Sequence, residues 1–412
     1  MARDPRSSSS VWAFGAGIAV RLTNLRVNVF HGMFYLFQRS ITQTMTLKQQ
    51  LQDHILQHGP MPFSQWMQRV LYTPELGYYS SSRQKFGPQG DFITAPELTP
   101  LFGATLAQAI EPYMQALDHP VLFEFGAGSG RLCVDLLTQR ERLGHPPTTY
   151  IILEVSASLQ ARQKERIWQE IPHLAPHVQW IAHWPTEPFC GVIIANEVLD
   201  AMPVERFMLL DDRVYQNFIA LDDNHEFCEH YRETDHTALR DYVHRLPLNT
   251  NQPYHSEVNL WLDDWFKPCS AMLSQGAMFV IDYGFPRQTY YHPDRHHGTL
   301  MCHYQHQAHA NPLLHVGEQD ITAHVDFTHV AEAADAAGFY VAEFTNQASF
   351  LLHHGLLDFF APDTPLDWTT QQAINTLILP SEMGELFKVM TLSKHMDHLD
   401  LDCSRYDQRS HL

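Results

Sequence analysis

An apolar run, Val121-Leu-Phe-Glu-Phe125, ends in three alternate glycines, Gly126-Ala-Gly-Ser-Gly130, and a second run, Ile151-Ile-Leu-Glu154, ends in a glutamate. The two runs lie about one βαβ unit apart. The first is short, continuous and bounded by turn residues, which predicts a parallel strand buried on both faces. Alternate glycines permit a tight turn whose backbone lies directly against a ligand. The following residues, Arg131 to Gln139, carry apolar side chains at helical spacing. This strand–turn–helix unit predicts a Rossmann-like sheet with its ligand at the carboxyl ends of the strands.

The third glycine narrows the choice of ligand. A dinucleotide fingerprint requires G-x-G-x-x-G, whereas this chain has G-x-G-x-G with Arg131 at the final position. Glu124, just before the turn, opposes a polyanionic pyrophosphate. A cationic or zwitterionic cofactor bearing adenosine fits better, and S-adenosylmethionine (SAM) meets that description. Glu154 would then accept hydrogen bonds from the two ribose hydroxyls. The alternative is a tight turn that merely packs on a sheet.

Composition bounds the partners. The 412 residues are 44% hydrophobic and 18% charged, enough for one large or two medium domains. A formal net charge of -19 argues against nucleic acid as partner. A protein substrate carrying a basic residue would be favoured electrostatically, although a soluble acidic protein needs no such explanation. Six cysteines (Cys133, Cys190, Cys228, Cys269, Cys302, Cys403) are scattered without a C-x-x-C pair and read as reduced, mostly buried thiols. Seven of the 27 histidines fall between His292 and His315. They carry neither H-E-x-x-H nor organised carboxylate spacing, so a surface loop is expected and no metal site.

Residues 1–44 stand apart, with five arginines (Arg3, Arg6, Arg21, Arg26, Arg39), no lysine and one acid, Asp4. Their apolar patches fall short of the ~20 residues that span a bilayer. An Arg-rich, acid-poor leader reads either as an organelle transit peptide or as an extension upstream of a start at Met45, the reading preferred here. A cytoplasmic location follows from the second reading and a mitochondrial matrix location from the first.

Four segments follow: the extension 1–44, a helical cap at 45–117, a core at 118–350 and a C-terminal region from 351 that reads as mainly helical. Within the cap, Leu47, Leu51, Ile55 and Leu56 form a stripe that Gly59-Pro60 ends. A second helix runs from Pro62 to Tyr72, and a breaker-rich loop spans Phe86 to Thr94. In the core, strands are expected at Val178–Ile181, Val192–Ala195, Ala277–Gly284 and Phe339–Phe344. An inserted hairpin region occupies 205–254, a helix runs from about Glu257 to Leu273, and another from Asp326 to Ala337.

The fourth strand ends in Asn196, Glu197 and Asp200. Two acids and an amide at the carboxyl edge of the sheet, across from the glycine turn, can grip a cation. A guanidinium suits them because its planar fork pairs with carboxylates. It holds little neutral nucleophile in water, so transfer would rely on positioning at ~3–3.5 Å. The competing reading is that Asn196 and Asp200 cap the next helix.

These residues belong to a longer pattern. Leu71-Tyr-Thr-Pro-Glu-Leu-Gly-Tyr-Tyr79, Gly90-Asp-Phe-Ile-Thr-Ala-Pro-Glu97, Phe123 to Gly130 and Ala195-Asn-Glu-Val-Leu-Asp-Ala-Met-Pro-Val204 occur in order. Ile281-Asp-Tyr-Gly284, Gly298-Thr-Leu300, Asp320-Ile-Thr-Ala-His-Val-Asp-Phe327 and Met383-Gly-Glu-Leu-Phe-Lys-Val389 follow. The chain resembles the SAM-dependent methyltransferases related to the mitochondrial complex I assembly factor that acts as a protein arginine methyltransferase, over roughly residues 50–390. That resemblance implies an α/β fold, a Rossmann-like seven-stranded methyltransferase sheet with a helical N-terminal cap and accessory insertions.

It also implies methylation of an arginine on a protein, a respiratory complex I subunit in mitochondrial members. By motif, Gly126, Gly128 and Gly130 would hold the methionine end of SAM, with Glu124 beside them and Glu154 on the ribose. Thr94 and Glu97 would approach the cofactor from the cap, and Asn196, Glu197 and Asp200 would border the acceptor. A nicotinamide oxidoreductase, a small-molecule N-methyltransferase and a non-catalytic SAM-binding scaffold are the alternatives. Arg131 and Glu124 disfavour the oxidoreductase.

Overall fold

In the computed structural model, residues 45–81, 94–248, 252–361, 365–396, 399 and 406–412 are described. The leader, most of the Phe86–Thr94 loop and Cys403 lie outside them. Seven strands run across the central sheet: β1 (Val121–Phe125), β2 (Tyr150–Leu153), β3 (Val178–Ile181), β4 (Phe189–Asn196), β5 (Leu273–Phe285), β6 (Tyr340–Asn346) and β7 (Phe387–Lys394), and the two-residue strand Val325–Asp326 joins as an eighth, pairing with the end of β5. Their spatial order is β3-β2-β1-β4-β5-β7-β6. All neighbours pair in parallel except β7, which is antiparallel to both β5 and β6.

Side chains alternate between the two faces, as the two-residue period of a strand demands. Leu122, Val192, Ile194, Phe279 and Ile281 pack on one face, beneath the helices Pro100–Gln115 (α1) and Arg131–Arg142 (α2). Phe123, Ile193, Ala195, Met278 and Val280 pack on the other, against Leu262–Met272 (α3) and Phe327–Ala336 (α4). Burial on both faces explains why these strands read as unbroken apolar runs. The chain leaves β1 toward β2 and β3 on one side and returns through β4 and β5 on the other. The carboxyl ends of β1 and β4 therefore flank the point where the sheet reverses direction, the usual ligand position in open α/β sheets.

The insertion after β4 is more than a hairpin. Glu205–Leu210, Arg213–Leu221, Phe227–Glu233 and Tyr254–Val258 form an antiparallel sheet that also recruits Met61–Pro62 from the cap. Its last strand occupies the start of the helix expected from Glu257, which begins instead at Leu262. The cap helices Leu47–His58 and Phe63–Tyr72 bury Leu51, Ile55, Trp66 and Met67 against Ile219, Cys302 and Ile321. Leu56, expected in that stripe, is exposed. The histidine-rich segment contributes the strands Met301–Tyr304 and Gln307–His309, which pair in a small sheet with Asp320–Thr322.

The C-terminal region corrects the expectation of a mainly helical tail. Its helices, Gln347–His353 and Trp368–Ile378, are followed by β7, which fills the gap between β5 and β6. Among the described residues, no helix is long and apolar enough to cross a membrane.

Close approach of β1 and β4 gives a stability prediction. A Cβ added at Gly191 in β4 would lie 1.9 Å from the backbone oxygen of Val121. Overpacking of this kind costs about 1–3 kcal/mol, and here the obstacle is backbone. Gly191→Ala should lower the unfolding free energy by that amount, read as a lower urea midpoint at unchanged slope; an unchanged midpoint would show that the two strands can separate freely.

Candidate functional site

Where β1 and β4 end, a cavity of about 240 Å³ opens, and every site residue named from the sequence lines it except Gly130. Gly126, Gly128 and Gly130 all adopt positive φ (56°, 51° and 82°), which explains why glycine occupies each. A Cβ at Gly126 would meet nothing within 4 Å, so open space faces the turn. Gly130 instead backs onto Gln163, whose side chain would crowd a Cβ.

Gln163 is a residue the sequence reading missed. It is fully buried on the helix Ala157–Glu170 (α5) and donates to the Gly128 carbonyl and to Glu154 Oε2, both at 3.0 Å. Its own Oε1 accepts from Trp180 at 3.0 Å. Glu154 Oε1 accepts the Ser156 amide at 2.9 Å. The glutamate after β2 is thereby fixed in orientation and tied to the turn. A carboxylate has about four acceptor positions, which suits the vicinal diol of a ribose.

Across the turn, Glu97 accepts from Ser129 Oγ and from Arg166 Nη1, the latter at 2.9 Å. Thr94 lines the cavity just before it. On β1, the buried Glu124 accepts from Tyr150 at 2.8 Å; burial pushes its carboxyl up to about 8. Arg131 is held on Asp135 of its own helix and on Glu170 at 2.7 Å, so its charge is engaged away from a bound anion.

The β4 end is shaped by a group absent from the sequence reading of the site. Asp282, wholly buried on β5, accepts the backbone N–H groups of Val198, Leu199 and Asp200 at 3.2, 2.9 and 3.2 Å. No helix follows β4 here; the chain turns. The capping alternative for Asn196 and Asp200 therefore fails, because Asp282 from another strand holds those amides. Its signal was the string Ile281-Asp-Tyr-Gly284.

Glu197 opens the turn at φ 51°, an uncommon conformation for a residue with a side chain. Its N–H donates to the Ile281 carbonyl at 2.8 Å, and its Oε1 accepts from Asn196 Nδ2 at 3.2 Å. Burial and then the charge of Asp200 push its carboxyl up to about 8. Asp200, also raised by burial, to about 6, accepts from the Tyr283 hydroxyl through Oδ2. Its Oδ1 and the Asn196 Oδ1 are buried with no hydrogen-bond partner among the described residues. Tyr72 and Tyr79 complete this side of the cavity.

The lining fits SAM and disfavours a dinucleotide. Five carboxyl groups (Glu97, Glu124, Glu154, Glu197, Asp200) face the cavity, which favours a net-positive ligand and repels pyrophosphate. The open space before Gly126 supplies the close backbone approach. Among the described residues, no group of three or more metal-ligating side chains is assembled. The histidines of 292–315 lie largely on the surface; His315, for instance, stacks on Tyr304 at 3.8 Å.

Comparison with known proteins agrees with this geometry. A family profile of S-adenosyl-L-methionine-dependent methyltransferases matches residues 105–345. A solved structure from Burkholderia thailandensis, bound to S-adenosyl-homocysteine, superposes with a TM-score of 0.83 and 38% identity, covering 89% of this chain and 96% of that one. The mitochondrial protein arginine methyltransferase NDUFAF7 homolog of Drosophila melanogaster is 28% identical, covering 71% of each chain. Its human counterpart is 25% identical, covering 85% of this chain and 83% of the relative. The chain belongs to this family of SAM-dependent methyltransferases, and SAM is its cofactor.

The raised carboxyls make the fold pH-sensitive. Glu124 and Glu197 stay protonated in the folded chain up to about 8 but ionise near 4.5 when unfolded. Between those values the folded state holds more protons, so stability falls as pH rises. The ligand-free protein should lose thermal midpoint steadily from pH 5 to pH 8, and Glu124→Gln should flatten that slope. A slope unchanged by the substitution would refute the assignment.

Proposed function

We propose that this methyltransferase transfers methyl groups to the guanidinium of an arginine in a protein substrate. One observation carries the reading: on the opposite side of the glycine turn from Glu154, the buried Asp200 Oδ1, beside Glu197, has no donor among the described residues. A buried acceptor left unpaired is costly, and a planar group with several N–H donors relieves it best. The names of the curated relatives support arginine as acceptor.

Bound SAM supplies an electrophilic methyl group on a sulfonium. The chain's own residues would do the rest. Glu154 and the glycine turn hold the cofactor, with Gly130 packing the turn against Gln163, and Thr94, Glu97 and Glu124 close around it. Ionised Asp200 accepts N–H groups of the arginine and concentrates its charge on the nitrogens it touches, leaving the nitrogen beside Glu197 richer in electrons, while the positive charge of cofactor and acceptor ionises Glu197. The methyl would pass to that nitrogen as its bond to the sulfonium sulfur breaks, the electron pair staying on sulfur to leave S-adenosyl-homocysteine, and the nitrogen would lose a proton. Glu197, with its carboxyl raised to about 8, is matched to take it. Asn196, donating to Glu197 Oε1, keeps the carboxylate aimed.

The resemblance drawn from the sequence directs the substrate search to respiratory complex I subunits. The preferred location is the cytoplasm of a bacterium, with the mitochondrial matrix as the reading if residues 1–44 act as a transit peptide.

Glu197→Ala separates transfer from binding. With arginine-bearing protein as acceptor, it should cut methyl transfer by about 100-fold or more, the range for a lost general base, while SAM affinity stays within a few-fold. Undiminished transfer would overturn the role of Glu197, and methyl label appearing on lysine rather than arginine would overturn the acceptor class.

A further inference from the structure

Two aromatic rings in the cavity have no part in the cofactor contacts just described. Tyr72, the last residue of a cap helix, and Tyr79, seven positions on, stack with centroids 5.5 Å apart and planes inclined by 24°. Each hydroxyl is anchored. Tyr72 donates to the Ala201 carbonyl at 2.8 Å, and Tyr79 donates to Asp320 Oδ1 at 2.8 Å. The first bond ties the ring to the turn that carries Asp200. The second ties its neighbour to a buried carboxylate on the small three-stranded sheet. Three separate parts of the chain thus converge to fix the rings in the cavity that Asp200 also lines, where its Oδ1 has no partner among the described residues.

Packing alone would not ask for tyrosine here. Aliphatic side chains could fill the same wall without needing hydroxyl partners. What the rings add is a negative π-face, and a neutral one: burial together with Asp200 and Asp320 holds both phenols protonated. They are therefore unsuited to act as bases. A π-face next to a carboxylate oxygen attracts cations. A guanidinium gains most, because it is planar, weakly hydrated and able to stack while its edge donates to a carboxylate. An alkylammonium is compact, strongly hydrated and lacks a plane to stack.

We propose that Tyr72 and Tyr79 are the specificity-determining wall of the acceptor site, selecting a planar guanidinium over an ammonium while Asp200 Oδ1 receives its edge. The inference rests on the arginine reading above but concerns recognition, so it can be tested without methyl transfer.

The probe is ethylguanidinium, with propylammonium as its comparator of similar size. Both are titrated by ligand-observed NMR into the full chain saturated with S-adenosyl-homocysteine. The wild type should bind ethylguanidinium at least about five-fold more tightly than propylammonium. Tyr72→Leu should erase most of that preference, and Tyr79→Leu should reduce it. Tyr72→Phe, which keeps the ring and loses only the Ala201 bond, should stay within about two-fold of wild type. S-adenosyl-homocysteine affinity should be retained in all three.

Equal binding of the two probes, no ethylguanidinium binding to the wild type, or full preference in Tyr72→Leu would overturn the proposal. A parallel loss of S-adenosyl-homocysteine affinity in the leucine variants would also overturn it, by assigning the rings to packing. A chain that selects ethylguanidinium but methylates no arginine would keep this inference and lose the transfer reading.

Discussion

Three backbone amides at the end of β4 converge on the carboxylate of Asp282, and the geometry of the site depends on that convergence. A strand that simply ran on into a helix would point Asn196, Glu197 and Asp200 along its own axis. Bound instead to a neighbouring strand, the chain reverses, places Glu197 at positive φ and brings Asp200 against the cavity. The amides also satisfy a carboxyl with no access to solvent, offsetting part of the cost of burying it. The Tyr283 N–H adds a fourth donor, to Asp282 Oδ1 at 2.9 Å. The next residue along β5 thus serves both acids, since the Tyr283 hydroxyl binds Asp200.

The clustering of acids around the cavity has a common electrostatic logic. Asp282 is pushed up by burial and by its neighbours Asp200 and Glu197, and Glu124 is raised by burial and by Glu154. Carboxyls that close cannot all ionise cheaply in an empty, low-dielectric space. A ligand bearing positive charge, as SAM does, reverses the balance, and the proposed arginine acceptor would do the same on the other side of the turn. A cavity lined by Glu97, Glu124, Glu154, Glu197 and Asp200 suits a cationic cofactor and would repel a pyrophosphate.

Local features of the site were legible in the sequence, and distant ones were not. The glycine turn and Glu154 sit at strand ends, where apolar periodicity locates them directly. The insertion's sheet was read only as a hairpin region, because its partner Met61–Pro62 comes from far upstream. β7 was overlooked because it follows helical segments, and only its pairing with β5 and β6 makes it a strand. Asp282, Gln163 and Tyr79 act across 82 or more, 9 and 241 positions respectively, and no spacing rule exposes such contacts. Leu56 shows the opposite limit: it fits a helical stripe, yet the neighbouring elements cover only Leu47, Leu51 and Ile55.

The central claim is that one acidic cavity holds SAM by the glutamate after β2. Isothermal titration of the full chain with SAM, beside Glu154→Ala, tests it most directly. The account predicts one site per chain and an affinity at least about ten-fold weaker in the variant, the scale of losing hydrogen bonds to a charged group. Equal affinity in a folded Glu154→Ala protein would place the cofactor elsewhere and contradict the account.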